Sequence, residues 1–261
     1  MTFSIVARSA DGLSTGVAVA SKFLAVGSAV PAARMGSGAI ATQSFCNTLY
    51  KRDGLALLAS GRSAQSTLDS LLAGDDQREN RQVGVVDAAG EAATFSGNGC
   101  LEWAGGVTGA GYAIQGNILT GPEVVEAMRT AFAESREAPL AERLVESLQA
   151  GDTAGGDRRG RQSASLLVVS DTGSYTPGDD VAYDLRVDDH ADPCAELGRL
   201  LALHHTYFDR PSDADLFPLE GELAAEVRAA LDQLGFPDLD TWAGVDNYEL
   251  RVVPGRIDTF V

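Results

Sequence analysis

Thr2 is the residue in this chain whose type and position together could do covalent chemistry. It follows Met1, and methionine is commonly trimmed before a residue as small as threonine. A hydroxyl and a free α-amine would then sit on one residue. The amine, with a reference pKa of about 8, can take the hydroxyl proton as the oxygen attacks a carbonyl. Nucleophile and base arrive together. Acyl transfer of this kind passes through a tetrahedral intermediate whose oxyanion needs hydrogen-bond donors.

Other residue types could serve that chemistry. Ser4 shares a strand face with Thr2 and either touches substrate or fills the face with a hydroxyl. Lys22 closes a second short strand; its charge would lower the pKa of a nearby amine, or it is a solvated strand end. Arg34 has the same two readings. Gln43, Ser44 and Asn47 end a strand of small residues, where they either hydrogen-bond a substrate or satisfy a turn. In Gln115-Gly116-Asn117, the Gly116 N–H and the Asn117 amide are candidate oxyanion donors, or the pair simply turns the chain. The segment Gly155-Gly156-Asp157-Arg158-Arg159-Gly160-Arg161-Gln162 is a basic spot in an acidic chain. Asp157, Arg158 and Gln162 there could hold a carboxylate-bearing substrate or the new amine, or form a charge-balancing loop.

Several chemistries find no support. Asp188-Asp189-His190 has ligand types, but adjacent residues of an extended chain point to alternate sides, so no metal is expected. G-x-S-x-G and G-x-x-x-x-G-K-[ST] are both absent, which removes the serine-hydrolase elbow and the phosphate loop. No cofactor is expected. The net charge of −17 disfavours nucleic acid and anionic membrane as partners. Cys46, Cys100 and Cys194 are odd in number and widely spaced, which fits unpaired thiols in a reducing cytoplasm. No leader-like or membrane-spanning run is evident.

The elements that must position these residues read as follows. Thr2 to Ser9 alternates, Asp11-Gly12 is a turn, and Thr15 to Ser21 is a second strand, so the pair forms a hairpin. Ala25 to Pro31 and Gly38 to Phe45 are further strand-like runs. Helices follow at 53–59 and 63–72, the second capped by Ser63. Strands at 82–87, 91–96 and 112–118 precede helices at 122–134 and 139–149, and strands at 162–170 and 182–187 precede a helix from Pro193. This order predicts an α+β fold with sheets stacked between helix layers. A Pro- and Asp-rich stretch near 210–218 divides a domain over 1–210 from an acidic tail over 211–261. The tail carries 11 acidic and 3 basic residues.

The segments TFSIVAR (2–8), GVAVASKFLAVGSAVPAAR (16–34), GAIATQSF (38–45), RQVGVVDAAG (81–90), GYAIQGNIL (111–119), GGDRRGRQSASLLVV (155–169) and DLRVDDHADP (184–193) resemble the family known as domain of unknown function 1028. The opening hairpin also resembles that of N-terminal nucleophile (Ntn) hydrolases, which include the proteasome β-subunits. The resemblance implies a four-layer αββα sandwich and, for the wider superfamily, hydrolysis of amide bonds, hence a small-molecule amide substrate. By analogy with such folds, which assemble through their helix layers, it implies a homodimer. Residues 211–261, with WAGVDNYELRVVPGRID, resemble a peptidoglycan-binding tail attached to this family. Two functions follow from these readings: an amidohydrolase with Thr2 as nucleophile, or a non-catalytic protein that kept the fold and binds cell-wall-like fragments.

Overall fold

The computed structural model describes residues 2–171 and 178–260. In chain order the elements are β1 (Thr2–Arg8), β2 (Ser14–Ser21), the helical turn α1 (Val26–Ala29), β3 (Pro31–Arg34), β4 (Gly38–Ser44), α2 (Leu49–Ala59), α3 (Ala64–Ala73), β5 (Arg81–Asp87), β6 (Ala92–Ser96), β7 (Gly105–Gly109), β8 (Tyr112–Asn117), α4 (Glu123–Glu134), α5 (Leu140–Thr153), β9 (Ser163–Ser170), β10 (Val181–Val187) and α6 (Pro193–Phe208). The tail adds β11 (Leu216–Pro218), α7 (Gly221–Leu234), α8 (Leu239–Asp246) and β12 (Arg256–Asp258). By its internal contacts the chain divides into Met1–Arg199 and Leu200–Val261. That division lies inside α6, ahead of the Pro- and Asp-rich stretch. Arg251 shows why: its guanidinium binds the carbonyls of His205 and Thr206, so the last turns of α6 belong with the tail.

The first unit is an α+β sandwich. One sheet runs β10-β9-β2-β1-β8-β7 and the other β3-β4-β5-β6. They face each other through β1, β2 and β8 on one side and β3, β4 and β5 on the other, while α5 and α4 cover the outer face of the first sheet and α2 and α3 that of the second. Period-two alternation explains the layering. Phe3 of β1 lies by Gly151 of α5, whereas Val6 joins Val17, Val19, Ala39, Ala41 and Val86 between the sheets. The outer core of the second sheet is Ile40, Val83 and Val85 against Tyr50, Leu58, Leu68 and Leu71. Helix α4 buries Val124, Val125, Met128 and Phe132, the stripe its spacing predicts. Ser63 caps α3 by accepting the Ser66 N–H.

Several local readings differ: α2 starts at Leu49, four residues ahead of the expected start, and α5 runs through Gly151 to Thr153. The run 25–31 is not a strand: Val26–Ala29 closes a helical turn, and only Pro31–Arg34 is extended. Gly27 packs there so closely on Ser165 that a β-carbon would fall 2.7 Å from it. Strand β7 was not expected, because Gly105–Gly109 (GGVTG) carries no alternation to read.

The second unit has its own small framework. β11 and β12 pair antiparallel, Asp238 caps α8 through the Thr241 N–H, and Trp242 stacks on Tyr248 at 5.3 Å. Arg251 and Asp258 form a buried ion pair at 2.7 Å.

Gly84 sits in β5 opposite Ala41 and Thr94, and a β-carbon there would meet Gln115 Oε1 at 2.1 Å. Gly84→Ala therefore lowers stability by about 1–3 kcal/mol through overpacking. Gly244→Ala, in α8 with nothing near its side-chain position, leaves stability unchanged or raises it by up to ~1 kcal/mol. Thermal and urea unfolding of the two variants measure both.

Candidate functional site

β1 starts at Thr2 in the middle of the six-stranded sheet, between β2 and β8. Thr2 is directly opposite Asn117 of β8, and Phe3 opposite Ala20 of β2, so Ser21 comes alongside Thr2 from the other flank. The Thr2 and Ser21 hydroxyl oxygens lie 3.1 Å apart. Both residues are buried, Thr2 with 6% of its surface exposed.

Beneath Thr2 the space between the sheets is polar. Ser4 donates to Gln43 Oε1 at 2.7 Å and accepts from Gln115 Nε2 at 2.7 Å. Gln43 Nε2 donates to Gln82 Oε1 at 2.8 Å and to the Thr2 carbonyl at 3.2 Å. Gln82 Nε2 reaches the Gly116 carbonyl and the Ser96 hydroxyl, each at 2.7 Å. Asn117 Nδ2 donates to Gln82 Oε1 at 2.9 Å. Every member except Ser96 is essentially fully buried. A buried amide without partners costs about 1–3 kcal/mol, so this closed set holds β1, β4, β5 and β8 in fixed register.

Left-handed backbone gathers at the same end. Ser44 (φ 69°) directly follows Gln43, and Ile118 (φ 50°) directly follows Asn117. Ala25 (φ 52°) lies four residues beyond Ser21. These are costly conformations, above all for a β-branched isoleucine, and such residues concentrate where function requires a particular geometry. Exposed Phe23, Leu24, Phe45 and Leu101 rim this end: the first two follow β2, Phe45 follows Ser44, and the Leu101 carbonyl accepts the Ile118 N–H.

Of the residues singled out in the sequence, Thr2, Ser4, Gln43 and Asn117 meet here. Lys22 stands at the rim; its backbone N–H donates to Asp157 Oδ2 at 2.7 Å and its ammonium to the Arg161 carbonyl at 3.2 Å. Asp157 is buried and also binds Arg159, not Arg158. Arg158 is exposed and lies along the other flank, its guanidinium 3.2 Å from the Leu119 carbonyl.

Four expectations need correction. Gly116 is not at a turn: it is inside β8 with Phe3 and Gly105 as lateral partners, so its N–H runs along the sheet and does not face an oxyanion. Arg34 lies at the opposite end of β4 from Gln43, roughly 15–20 Å away at a strand rise of about 3.4 Å per residue. Asn47 satisfies the start of α2, bonding Asp75 and the Leu49 N–H. Gln162 binds Asp189 at 3.1 Å. Ser44 contributes its backbone bend and pairs with Arg81. In the run Asp188–His190, His190 Nδ1 accepts the Asp192 N–H. Among the described residues, no three His, Cys, Asp or Glu side chains group as metal ligands, and no helix is long and apolar enough to cross a membrane.

Sequence reasoning missed Ser21 as the partner of Thr2 and Gln82 as the hub of the amide network. The available signal was positional: Gln43, Gln82 and Gln115 each occupy an inward-facing position of a strand, where an apolar residue would be usual. It also missed the anchor beside Ser44. Asp75 binds Arg81 at 2.8 Å, Tyr50 at 2.9 Å and Asn47 at 3.1 Å. The Arg81 guanidinium holds the Asp75 carboxyl well below the usual carboxylate range. Burial and the adjacent Asp75 push the Tyr50 hydroxyl up.

A family model described as a family of unknown function (DUF1028) matches residues 2–197. The chain belongs to this DUF1028 family. A solved structure of the same family, protein SPO2555 from Silicibacter pomeroyi, is similar at 27% identity with a TM-score of 0.70, covering 87% of this chain and 93% of that one. Anbu (ancestral beta-subunit) from Yersinia bercovieri aligns over 80% of this chain and 99% of its own at 12% identity; its TM-score of 0.34 carries no weight for function. No curated protein matches the chain. The DUF1028 match contains the whole Thr2 site, from β1 to the 155–162 loop, and ends before the tail unit.

Because the folded pKa of Asp75 is depressed, its stabilisation is fully present above the unfolded value of about 3.9 and is lost as pH falls through the folded value. Asp75→Asn should cost about 3 kcal/mol or more at pH 7 by leaving Arg81 without its carboxylate. The gap to wild type should narrow steadily as pH drops below about 4. Urea denaturation across pH 3–7 measures it.

Proposed function

We propose that this DUF1028 protein is an amidohydrolase of the N-terminal nucleophile type, cleaving a small amide through an acyl-enzyme on Thr2. The observation that carries the reading is Thr2 itself: first residue of a central strand, its hydroxyl 3.1 Å from Ser21 and its carbonyl held by Gln43. In the proposed cycle the α-amine, freed by loss of Met1, accepts the hydroxyl proton as Oγ1 bonds to the substrate carbonyl carbon. The tetrahedral oxyanion collapses, the C–N bond breaks, and the leaving amine takes the proton. Water, deprotonated by the same amine, then attacks the ester; the C–Oγ1 bond breaks, the proton passes from the amine to Oγ1, and the acid leaves.

Asn117, lateral partner of Thr2, and the Ser21 hydroxyl are the side-chain donors proposed for the oxyanion in place of the Gly116 N–H. Lys22 and Arg158 at the rim supply positive charge suited to a carboxylate on the substrate, and Asp157 fixes the backbone of Lys22. The left-handed residues Ser44 and Ile118 support the same location.

A second reading, a non-catalytic binding protein with the same fold, draws on one specific observation: the intersheet space below Thr2 is filled by glutamine side chains. One experiment separates the two. Full-length protein is checked by intact mass for loss of Met1 and then treated with a β-lactone electrophile. The amidohydrolase reading expects a single adduct on Thr2, absent in Thr2→Ala and retained in Thr2→Ser, with a labelling rate that rises with pH as the amine loses its proton. Equal labelling of Thr2→Ala, or no adduct on a chain that begins at Thr2, overturns it.

A further inference from the structure

At the Arg8 end of β1, a strand length of about 20 Å from Thr2, a cavity opens. Its volume is about 500 Å³, and its lining includes Arg8, Tyr112, Phe132, Arg136 and Arg143. This is the size range of small-molecule sites. Three arginines thus line it, from β1, from the connection between α4 and α5, and from α5 itself.

Three arginines without an ion pair come together here. Many arginines of this chain sit on carboxylates, among them Arg81 on Asp75, Arg129 on Glu126, Arg161 on Asp152, Arg186 on Asp184 and Arg251 on Asp258. Among the described residues, no carboxylate forms an ion pair with Arg8, Arg136 or Arg143, although the chain carries a net charge of −17. Arg143 lies with its guanidinium carbon 3.9 Å from the centre of the Phe132 ring and donates to the Phe132 carbonyl at 3.0 Å. Its Nε is buried with no hydrogen-bond partner among the described residues. Burial, and then the like charge of Arg136, push the Arg143 guanidinium below its ordinary pKa. Arg8 lies across Gly12 (φ +82°), where a β-carbon would fall 1.9 Å from its Nη2, so that glycine makes room for the side chain. Tyr112 and Phe132, 5.2 Å apart, supply an apolar wall.

We propose that this cleft binds a small molecule bearing at least two anionic oxygens on an apolar body, a dicarboxylate or a phosphate ester. Planar guanidinium forks match carboxylate and phosphate oxygens in pairs. The like charge of Arg136 bears on Arg143, and an anion bound beside them relieves that repulsion. A nucleic acid or a protein surface would need the basic groups spread over a face, whereas these converge on a single concavity beside aromatic rings. The site is separate from Thr2 and does not depend on the amidohydrolase reading.

Calorimetric titration and thermal shift of the full chain test it with four probes at matched ionic strength: benzene-1,2-dicarboxylate, citrate, phenyl phosphate and inorganic phosphate, with acetate as reference. At least one multivalent probe is expected to bind one to one and raise Tm beyond acetate. Preference for the carboxylates or for the phosphates identifies the source chemistry. Arg136→Gln, at an exposed position, should weaken that binding tenfold or more, while Arg62→Gln, an exposed arginine elsewhere, leaves it unchanged. Without ligand, Arg136→Gln should melt no lower than wild type, since it removes repulsion. No probe exceeding acetate, or equal losses in both variants, overturns the proposal.

Discussion

Three glutamines buried between two sheets have to satisfy one another, and the Thr2 end of the sandwich is organised around that requirement. Gln43, Gln82 and Gln115 come from three different strands and two different sheets. Ser4 and Asn117 complete their hydrogen bonding. Because side chains alternate along a strand, slipping any of these strands by one residue would turn its amide to the helix side and strand its partners. The network therefore sets register as well as contributing stability. It also divides the intersheet core into an apolar half around Val6, Val17 and Val19 and a polar half under Thr2.

The polar half gives the Thr2 site its character. Gln43 reaches past Ser4 to hold the Thr2 carbonyl, so the first residue of the strand is fixed from below as well as by its neighbours in the sheet. The chain then bends sharply out of both anchoring strands, at Ser44 and at Ile118. The 155–162 loop closes over the end of β2 through Asp157, bringing Lys22 and Arg158 to the rim. The far end of the same strand is built on a different principle: Arg8 lines a cavity with Arg136 and Arg143, and among the described residues none of the three is in an ion pair. One strand thus joins a site of interlinked neutral amides to a cleft lined by arginines.

Much of this was legible in the sequence, for identifiable reasons. Alternation in 2–8 gave β1 and its inward face, so Thr2 and Ser4 were assigned to one side without the structure. The apolar spacing in 122–134 gave α4 and its buried residues. What failed depended on tertiary context. Small residues at 25–31 look extended by composition, but Gly27 had to fit against Ser165, and that close approach is met by a helical turn. Gly116 resembles a turn glycine in isolation; only the pairing of β8 with both β1 and β7 shows that its N–H belongs to a sheet. Arg34 has the right chemistry at the wrong end of its sheet, and Asn47 is drawn away to Asp75 and the Leu49 N–H, neither of which residue type reveals. Gln82 stayed hidden because a polar residue near the end of a strand gains meaning only from the partners that face it.

The side-chain amides of those glutamines can be observed directly. Hydrogen exchange followed by NMR at the Nε2 groups of Gln43, Gln82 and Gln115, with exposed Gln65 as internal reference, reads whether they are sealed in one closed network. If they are, all three exchange only when the domain unfolds, orders of magnitude more slowly than Gln65 and with one common opening free energy. Exchange at the rate of Gln65, or three unrelated rates, would mean that the amides are not locked together and that Thr2 rests on something else.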